Sequence, residues 1–291
     1  MPILHTLSHT AWETVPDEIA VSALEKGKIL YFPQLAFHLE KPEILLLSPR
    51  YTNGKAKNIS FDIHTEVLRG ACGSPLELAA LKSLLRRYAF QTSHFLKSLS
   101  PAYAKALQTG RTSLRVVEIA GRPAPSYKKD DTRLHVDAFP SQPNQGKRIL
   151  RIFCNIDPER KPRVWRTGAP FEQVARAFLP AVSRQLPGSG HLLKVLKITK
   201  NLRTHYDHIM LNIHNRMKKS LDYQHTTPYT EIAFPAPAAW MAYTDQVSHA
   251  ALAGQHVLEQ TFYLPVSAMQ DEKHSPLRIL EKITGLRLAY F

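Results

Sequence analysis

The sequence predicts an α+β protein with a β-rich second half, a helical insert within it, and a mixed, partly helical N-terminal third. Three observations carry this. Residues 76–99 bear apolar side chains at helical spacing, short apolar runs bounded by turn residues recur after Ser113, and a long basic stretch without strand character interrupts those runs. In order, Gly27 stops a helix end at 21–27, and a short strand at 28–32 runs to Pro33. Leu78, Leu81, Leu84, Leu85, Tyr88 and Phe95 form one face of the 76–99 helix, with Lys82, Arg86, Arg87 and Lys97 free to take the other. Strands are predicted at 114–119, 148–156, 230–234, 239–244 and 256–264, a pattern that suggests a barrel or sandwich. The insert opens with a helix at 171–182. It continues through the basic region 191–221, where Lys194, Lys197, Lys200 and Arg203 recur every third residue and can share a broad helix face.

Charge and composition restrict the function. The chain has 291 residues, and 38 Lys and Arg against 24 Asp and Glu give a formal charge of +14, which favours a polyanionic partner. Nucleic acid is not expected, because no zinc finger, RNP-type aromatic motif or basic region with heptads is present. The two cysteines, Cys72 and Cys154, exclude a disulfide framework and a Cys-based zinc module. The charge-free stretch 232–244 is only 13 residues and is broken by Pro235 and Pro237, too short to span a bilayer. No signal peptide is visible, so the expected compartment is the cytoplasm.

Two H-x-D motifs occur, His135-Val136-Asp137 and His205-Tyr206-Asp207. On an extended segment residues i and i+2 face the same side and can bind one ion; on a helix they diverge by about 200°. The first lies in extended, loop-bounded sequence. The second lies in a helical pattern and reads as a helix-surface or supporting feature. Two histidines and one carboxylate on one octahedral face suit non-haem Fe(II) and O₂. The third ligand is expected at His249, 112 residues after Asp137, with His256 as competitor.

The run Asp131-Thr-Arg133-Leu134-His135-Val136-Asp137-Ala138-Phe139-Pro140-Ser141 resembles the metal-binding segment of Kdo hydroxylases, Fe(II)/2-oxoglutarate-dependent dioxygenases that act on lipopolysaccharide. The likeness continues at Arg148-Ile-Leu-Arg151-Ile-Phe153-Cys-Asn155, Trp165-Arg166, Tyr206-Asp207-His208, His214, Tyr223-Gln224, Thr244-Asp245-Gln246-Val-Ser-His249 and Glu259-Gln260-Thr261-Phe262. It covers nearly the whole chain. It implies a single domain, 1–291, with a double-stranded β-helix (jelly-roll, cupin-like) core at 111–270. The helical insert would span about 171–222, a mixed helical segment at 1–110 would pack on the core, and a C-terminal tail would occupy 271–291. It further implies Fe(II) held by His135, Asp137 and His249, with 2-oxoglutarate and O₂ as cosubstrates. The implied reaction is hydroxylation of Kdo at C3, giving Ko, on Kdo-lipid A, with peripheral contact at the inner face of the inner membrane.

The far carboxylate of 2-oxoglutarate needs a cation, best an arginine. None occurs from 250 to 270, so alternation on 148–156 favours Arg151 with Asn155 beside it, and Arg148 and Arg166 in reserve. Arg122, Lys128 and Arg133 flank the metal segment and are the expected substrate contacts. Lys194, Lys197, Lys200 and Arg203 could face anionic lipid. Alternatives are a 2-oxoglutarate oxygenase with another small-molecule or protein substrate, and a basic, non-catalytic metal-binding protein. Roles for His205, Asp207, His208 and His214 stay open.

Overall fold

The structure is a computed structural model that describes residues 2–54 and 56–289. Eleven strands are found among them: β1 (Leu4–Thr6), β2 (Ile29–Phe32), β3 (Ile59–Asp62), β4 (Val67–Arg69), β5 (Gln108–Arg115), β6 (Arg148–Asn155), β7 (Arg163–Thr167), β8 (Thr230–Phe234), β9 (Ala238–Tyr243), β10 (His249–Ala253) and β11 (Val257–Leu264). They form an eight-stranded sheet in the order β1-β2-β9-β6-β11-β5-β3-β4 and a three-stranded sheet in the order β10-β7-β8. Only β1 and β2 pair in parallel. β6 lies at the centre, with Leu150 between Tyr243 of β9 and Phe262 of β11.

Each face of β6 meets a different layer. Leu150, Ile152 and Cys154 join the main core, which the helix Pro75–Leu99 covers. Ser74 caps that helix reciprocally with Glu77, Pro75 occupies its first turn, and Leu81, Leu84, Leu85, Tyr88 and Phe95 are buried. Each such side chain contributes about 1.5–3 kcal/mol of burial. Tyr88 Oη also donates to the Ile152 carbonyl at 3.1 Å, which fixes the helix on the sheet. On the opposite face Phe153 stacks on Trp240, and Trp240 stacks on Phe234 of the small sheet. Trp165 meets all three rings edge-on. This aromatic layer holds the two sheets together.

Several elements differ from the sequence reading. The strand predicted at 114–119 lies at Gln108–Arg115 instead. Its polar first half pairs along β11, where cross-strand hydrogen bonds outweigh composition. β7 and β10 are not among the predicted strands; both are short, and their sequences, RVWRT and HAALA, lack an unbroken β-branched run. The basic stretch is not one helix face. The chain forms Ser189–Val195, breaks, and resumes at His205–Lys219. Lys197 has φ of +56°, Lys200 N–H donates to Ser141 O at 2.9 Å, and Arg203 bonds Pro140 O at 2.5 Å, so the four cations do not share a helix. Within 271–291 the helix Pro276–Thr284 buries Leu277 and Leu280; residues 290 and 291 lie outside the described residues. No helix among the described residues is long and apolar enough to cross a membrane.

Candidate metal centre

His135 and His249 face each other across an antiparallel bridge. Each backbone N–H donates to the other's carbonyl, at 3.0 and 2.9 Å. Asp137 N–H donates to Thr244 O at 2.8 Å, so the 135–137 segment runs strand-like along the turn between β9 and β10. Period-two alternation then puts His135 and Asp137 on one side, while Val136 enters the main core. Helices of the insert hold this segment from behind. Gln224 accepts from Leu134 N–H at 2.7 Å and donates to Leu134 O at 3.0 Å, and His214 Nδ1 donates to Val136 O at 2.7 Å.

The three side chains suit a cation. His135 Nδ1 donates to Arg133 O and His249 Nδ1 to Val247 O, both at 2.8 Å, which leaves each Nε2 with its lone pair toward the site. His135 Nε2 lies 3.7 Å from Asp137 Oδ1. One donor atom from each of the three residues lies within 4.8 Å of the others. Asp137 Oδ2 is buried with no hydrogen-bond partner among the described residues, although Arg151 Nη2 is 3.2 Å away. Burial pushes His135 well below the usual imidazole range, with His249 and Lys218 adding to the effect, and burial also lowers His249. Burial alone would raise Asp137, but Arg151 and His249 hold it below its ordinary value. The set is therefore two neutral imidazoles and one carboxylate, the protonation states a metal requires. Trp165 stacks on His249 at 5.0 Å, and His214 meets His135 edge-on at 5.1 Å. His256 lies elsewhere, bonded to Asp157 and to Leu47 O.

These residues line a cavity of about 270 Å³, to which Lys57, Arg115, Arg151, Arg163 and Lys218 add five cations. A wider cavity of about 780 Å³ shares Asn58, Arg115, Phe139 and Arg151 with it and reaches Lys200 at its rim. Three of the five cations have carboxylate partners. Arg151 pairs with Asp137 and Glu259, Arg115 with Glu259, and Lys57 with Asp131. Among the described residues Arg163 bonds only Gly254 O, at 2.8 Å, and its Nε meets no partner. Burial and then Arg115 push Arg163 down to about 9. Gly254 permits this contact, since with φ of +105° a Cβ there would lie 2.9 Å from Arg163 Cα.

The other expected contacts fall outside the cavity. Arg148 is on the opposite face of β6 from Arg151, fully buried and paired with Asp245. Arg166 is on the opposite face of β7 from Arg163 and lies over the Tyr229 ring. Asn155 spends its side chain on Lys161 O, Phe234 O and Asp157 N–H. Arg122 pairs with Asp131 and Arg133 with Asp130, which secures the loop, while Lys128 is exposed; none of the three lines the cavity. Asp207 closes the capping box of the helix His205–Lys219, accepting from the N-cap residue Thr204, and also accepts from Asn144 and Gln145 N–H, a structural role. Sequence reasoning misses Arg115, Arg163 and Lys218, which come from three separate elements. The only signal is inward alternation of Arg163 and Trp165 on an unpredicted strand.

Two histidines and one carboxylate, set at the mouth of paired sheets beside a cation-lined cavity, are the ligand set of the non-haem iron oxygenases. A family model for 3-deoxy-D-manno-oct-2-ulosonic acid (Kdo) hydroxylase matches residues 9–287. The chain belongs to the Kdo hydroxylase family. It is similar to the apo structure of the Kdo hydroxylase KdoO, a non-haem Fe(II) α-ketoglutarate-dependent dioxygenase, at 45% identity over 98% of this chain and 97% of that one, with a TM-score of 0.93. The cobalt(II) complex of KdoO gives 45% identity, 99% and 98% coverage and a TM-score of 0.94. The complex with α-ketoglutarate and Fe(III) gives 44%, 98% and 97%, and 0.93. No curated protein matches the chain.

Proposed function

We propose that this chain hydroxylates the sugar Kdo with Fe(II), 2-oxoglutarate and O₂. The observation that carries it is the His135, Asp137 and His249 set, opening onto a cavity with more cations than its own acids neutralise, in a chain of this family. Bound iron with its cosubstrates would supply the oxidising power that replaces a C–H bond by C–OH. The chain's residues supply ligation, orientation and charge. Carbonyl contacts at both Nδ1 atoms fix the imidazole tautomers. Arg151 holds Asp137 ionised and aimed. Arg163, buried and without an acid, is the best anchor for the far carboxylate of 2-oxoglutarate, with Arg115 beside it. Arg151, the sequence's first choice, lies in the same cavity but already spends its guanidinium on Asp137 and Glu259.

We infer further that hydroxylation falls on C3, that the substrate is Kdo-lipid A, and that the two sheets are a double-stranded β-helix. The protein would work as a cytoplasmic peripheral protein at the inner membrane face. The test is incubation with Kdo-lipid A, with and without Fe(II) and 2-oxoglutarate, followed by mass analysis. A product heavier by one oxygen, with one succinate formed per product, supports the proposal. Zinc retention without succinate formation would favour a non-catalytic metal protein instead.

A further inference from the structure

We propose that Lys218 binds the carboxylate of the acid sugar and thereby sets its C3 beside the metal centre. This rests on the Kdo reading above. Lys218 is 2% exposed, on the helix that also carries His214, and lines the metal cavity. Its Nζ has three N–H donors and meets one acceptor, Lys128 O at 3.1 Å. Among the described residues no carboxylate forms an ion pair with it. Asp131, Asp137 and Asp130 act on the ammonium from a distance, but none pairs with it, and a buried ammonium without a paired carboxylate costs stability. A ligand charge supplies the missing partner.

The chemistry of the substrate places its anion here. A 3-deoxy-2-ulosonic acid carries its carboxylate on C2, and C3 is the next carbon. Any group that grips the carboxylate must therefore stand within a few ångströms of the reacting carbon, inside the metal cavity. Two anions then have to be met there, the cosubstrate dicarboxylate and the sugar acid. Of the five cations, Arg115, Arg151 and Lys57 are already paired. Arg163 stands on β7 near Arg115, whereas Lys218 acts electrostatically on His135 and His214 from the helical side. One unpaired cation thus serves each anion. Lys218 is also held in place, because Arg133 Nη1 donates to its backbone carbonyl at 2.8 Å. The arginine expected from sequence to touch the sugar so acts through its neighbour.

The test uses the full chain with Fe(II) and two substrates, Kdo-lipid A and its Kdo methyl ester, which lacks the negative charge. Lys218→Met keeps the stem and removes the charge; Lys218→Arg keeps the charge. With Lys218→Met, KM for the acid should rise about 30-fold or more, as expected for one lost charge-assisted hydrogen bond. The rise in KM for the acid should exceed any change in KM for 2-oxoglutarate at least about tenfold. Wild type should discriminate against the ester by a similar factor, and Lys218→Met should not discriminate at all. Lys218→Arg should recover most of the discrimination. An unchanged KM for the acid, or discrimination retained by Lys218→Met, overturns the assignment. If Lys218→Met does not fold, equal use of acid and ester by wild type overturns it too. Failure of wild type to oxygenate either substrate instead overturns the Kdo reading, which is a separate result.

Discussion

Arg163 is a buried guanidinium with one backbone carbonyl for company, and a fold that needed only packing there would use a neutral side chain. Arg163→Gln should therefore raise the 2-oxoglutarate requirement about tenfold or more while Tm stays level or rises. Unchanged cosubstrate dependence in steady-state assays would remove Arg163 from that role. Trp165, stacked on His249, reports on the metal: Co(II) or Fe(II) binding should quench its fluorescence, and chelation should restore it. Trp165→Phe should abolish most of this response, and an undiminished signal would locate the quenched ring elsewhere.

The insert helices matter because they carry the back of the metal segment. Gln224 satisfies both backbone groups of Leu134, one residue before the first ligand. Gln224→Ala would leave buried polar groups unpaired, so it should cost about 1–3 kcal/mol of stability and weaken metal binding. Retained Tm and metal affinity in titrations would show that water replaces the amide. His214, on the neighbouring helix His205–Lys219, adds a pH dependence. Burial, with Lys218 adding to it, lowers its pKa from the ordinary 6.5 to about 4. The unfolded chain thus takes up the proton first. Stability is fully present above about pH 6.5 and is lost as pH falls towards 4. His214→Asn should flatten part of the slope in urea midpoints of the metal-free protein between those values, the rest belonging to His135 and His249. An identical slope would mean that His214 is solvated. The two H-x-D motifs show what sequence can tell. Period two alone separates the ligand pair His135 and Asp137 from Asp207, which serves in the first turn of a helix. The same rule puts Arg151 inside the cavity, yet it cannot show that Asp137 and Glu259 already occupy it. Strands β2, β6, β8, β9 and β11 are legible, in part or whole, because each carries apolar residues, whereas β5 is met only at its end because its run 114–119 begins where the strand closes. β7 and β10 are not, because their inward residues are Arg163, Trp165 and His249, selected by the site rather than by β-propensity. Lys218 becomes meaningful only when a helix packs against a distant strand.

At the scale of the whole molecule the +14 charge is not spread evenly in effect. From 183 to 204 the chain has Arg184, Lys194, Lys197, Lys200 and Arg203 and no acid. Leu186, Leu192, Val195, Leu196 and Ile198 in this segment are each more than half exposed. Scattered exposed apolar residues are ordinary, but five within 13 positions among these cations are the surface on which the proposed membrane contact would rest. Each basic residue near such a surface adds about 1 kcal/mol, and inserted leucines and isoleucines add their burial. The segment is also fastened to the entrance: Lys200 N–H and the Arg203 guanidinium bond the 140–141 loop, and Lys200 lines the wider cavity. If the proposed substrate, Kdo-lipid A, is met at a membrane, its sugar would reach the cavity from this side without full extraction. Binding to vesicles containing anionic lipid should fall steeply with salt and be absent on neutral vesicles. Replacing Leu192 and Ile198 together by Asp should weaken it at least about tenfold at fixed salt. The same double variant should keep wild-type kcat/KM on a deacylated, soluble Kdo saccharide, since neither residue lines the metal cavity. Equal loss on soluble and membrane-bound substrate would mean that the segment shapes the catalytic cavity, and undiminished vesicle binding would place the membrane contact on another face.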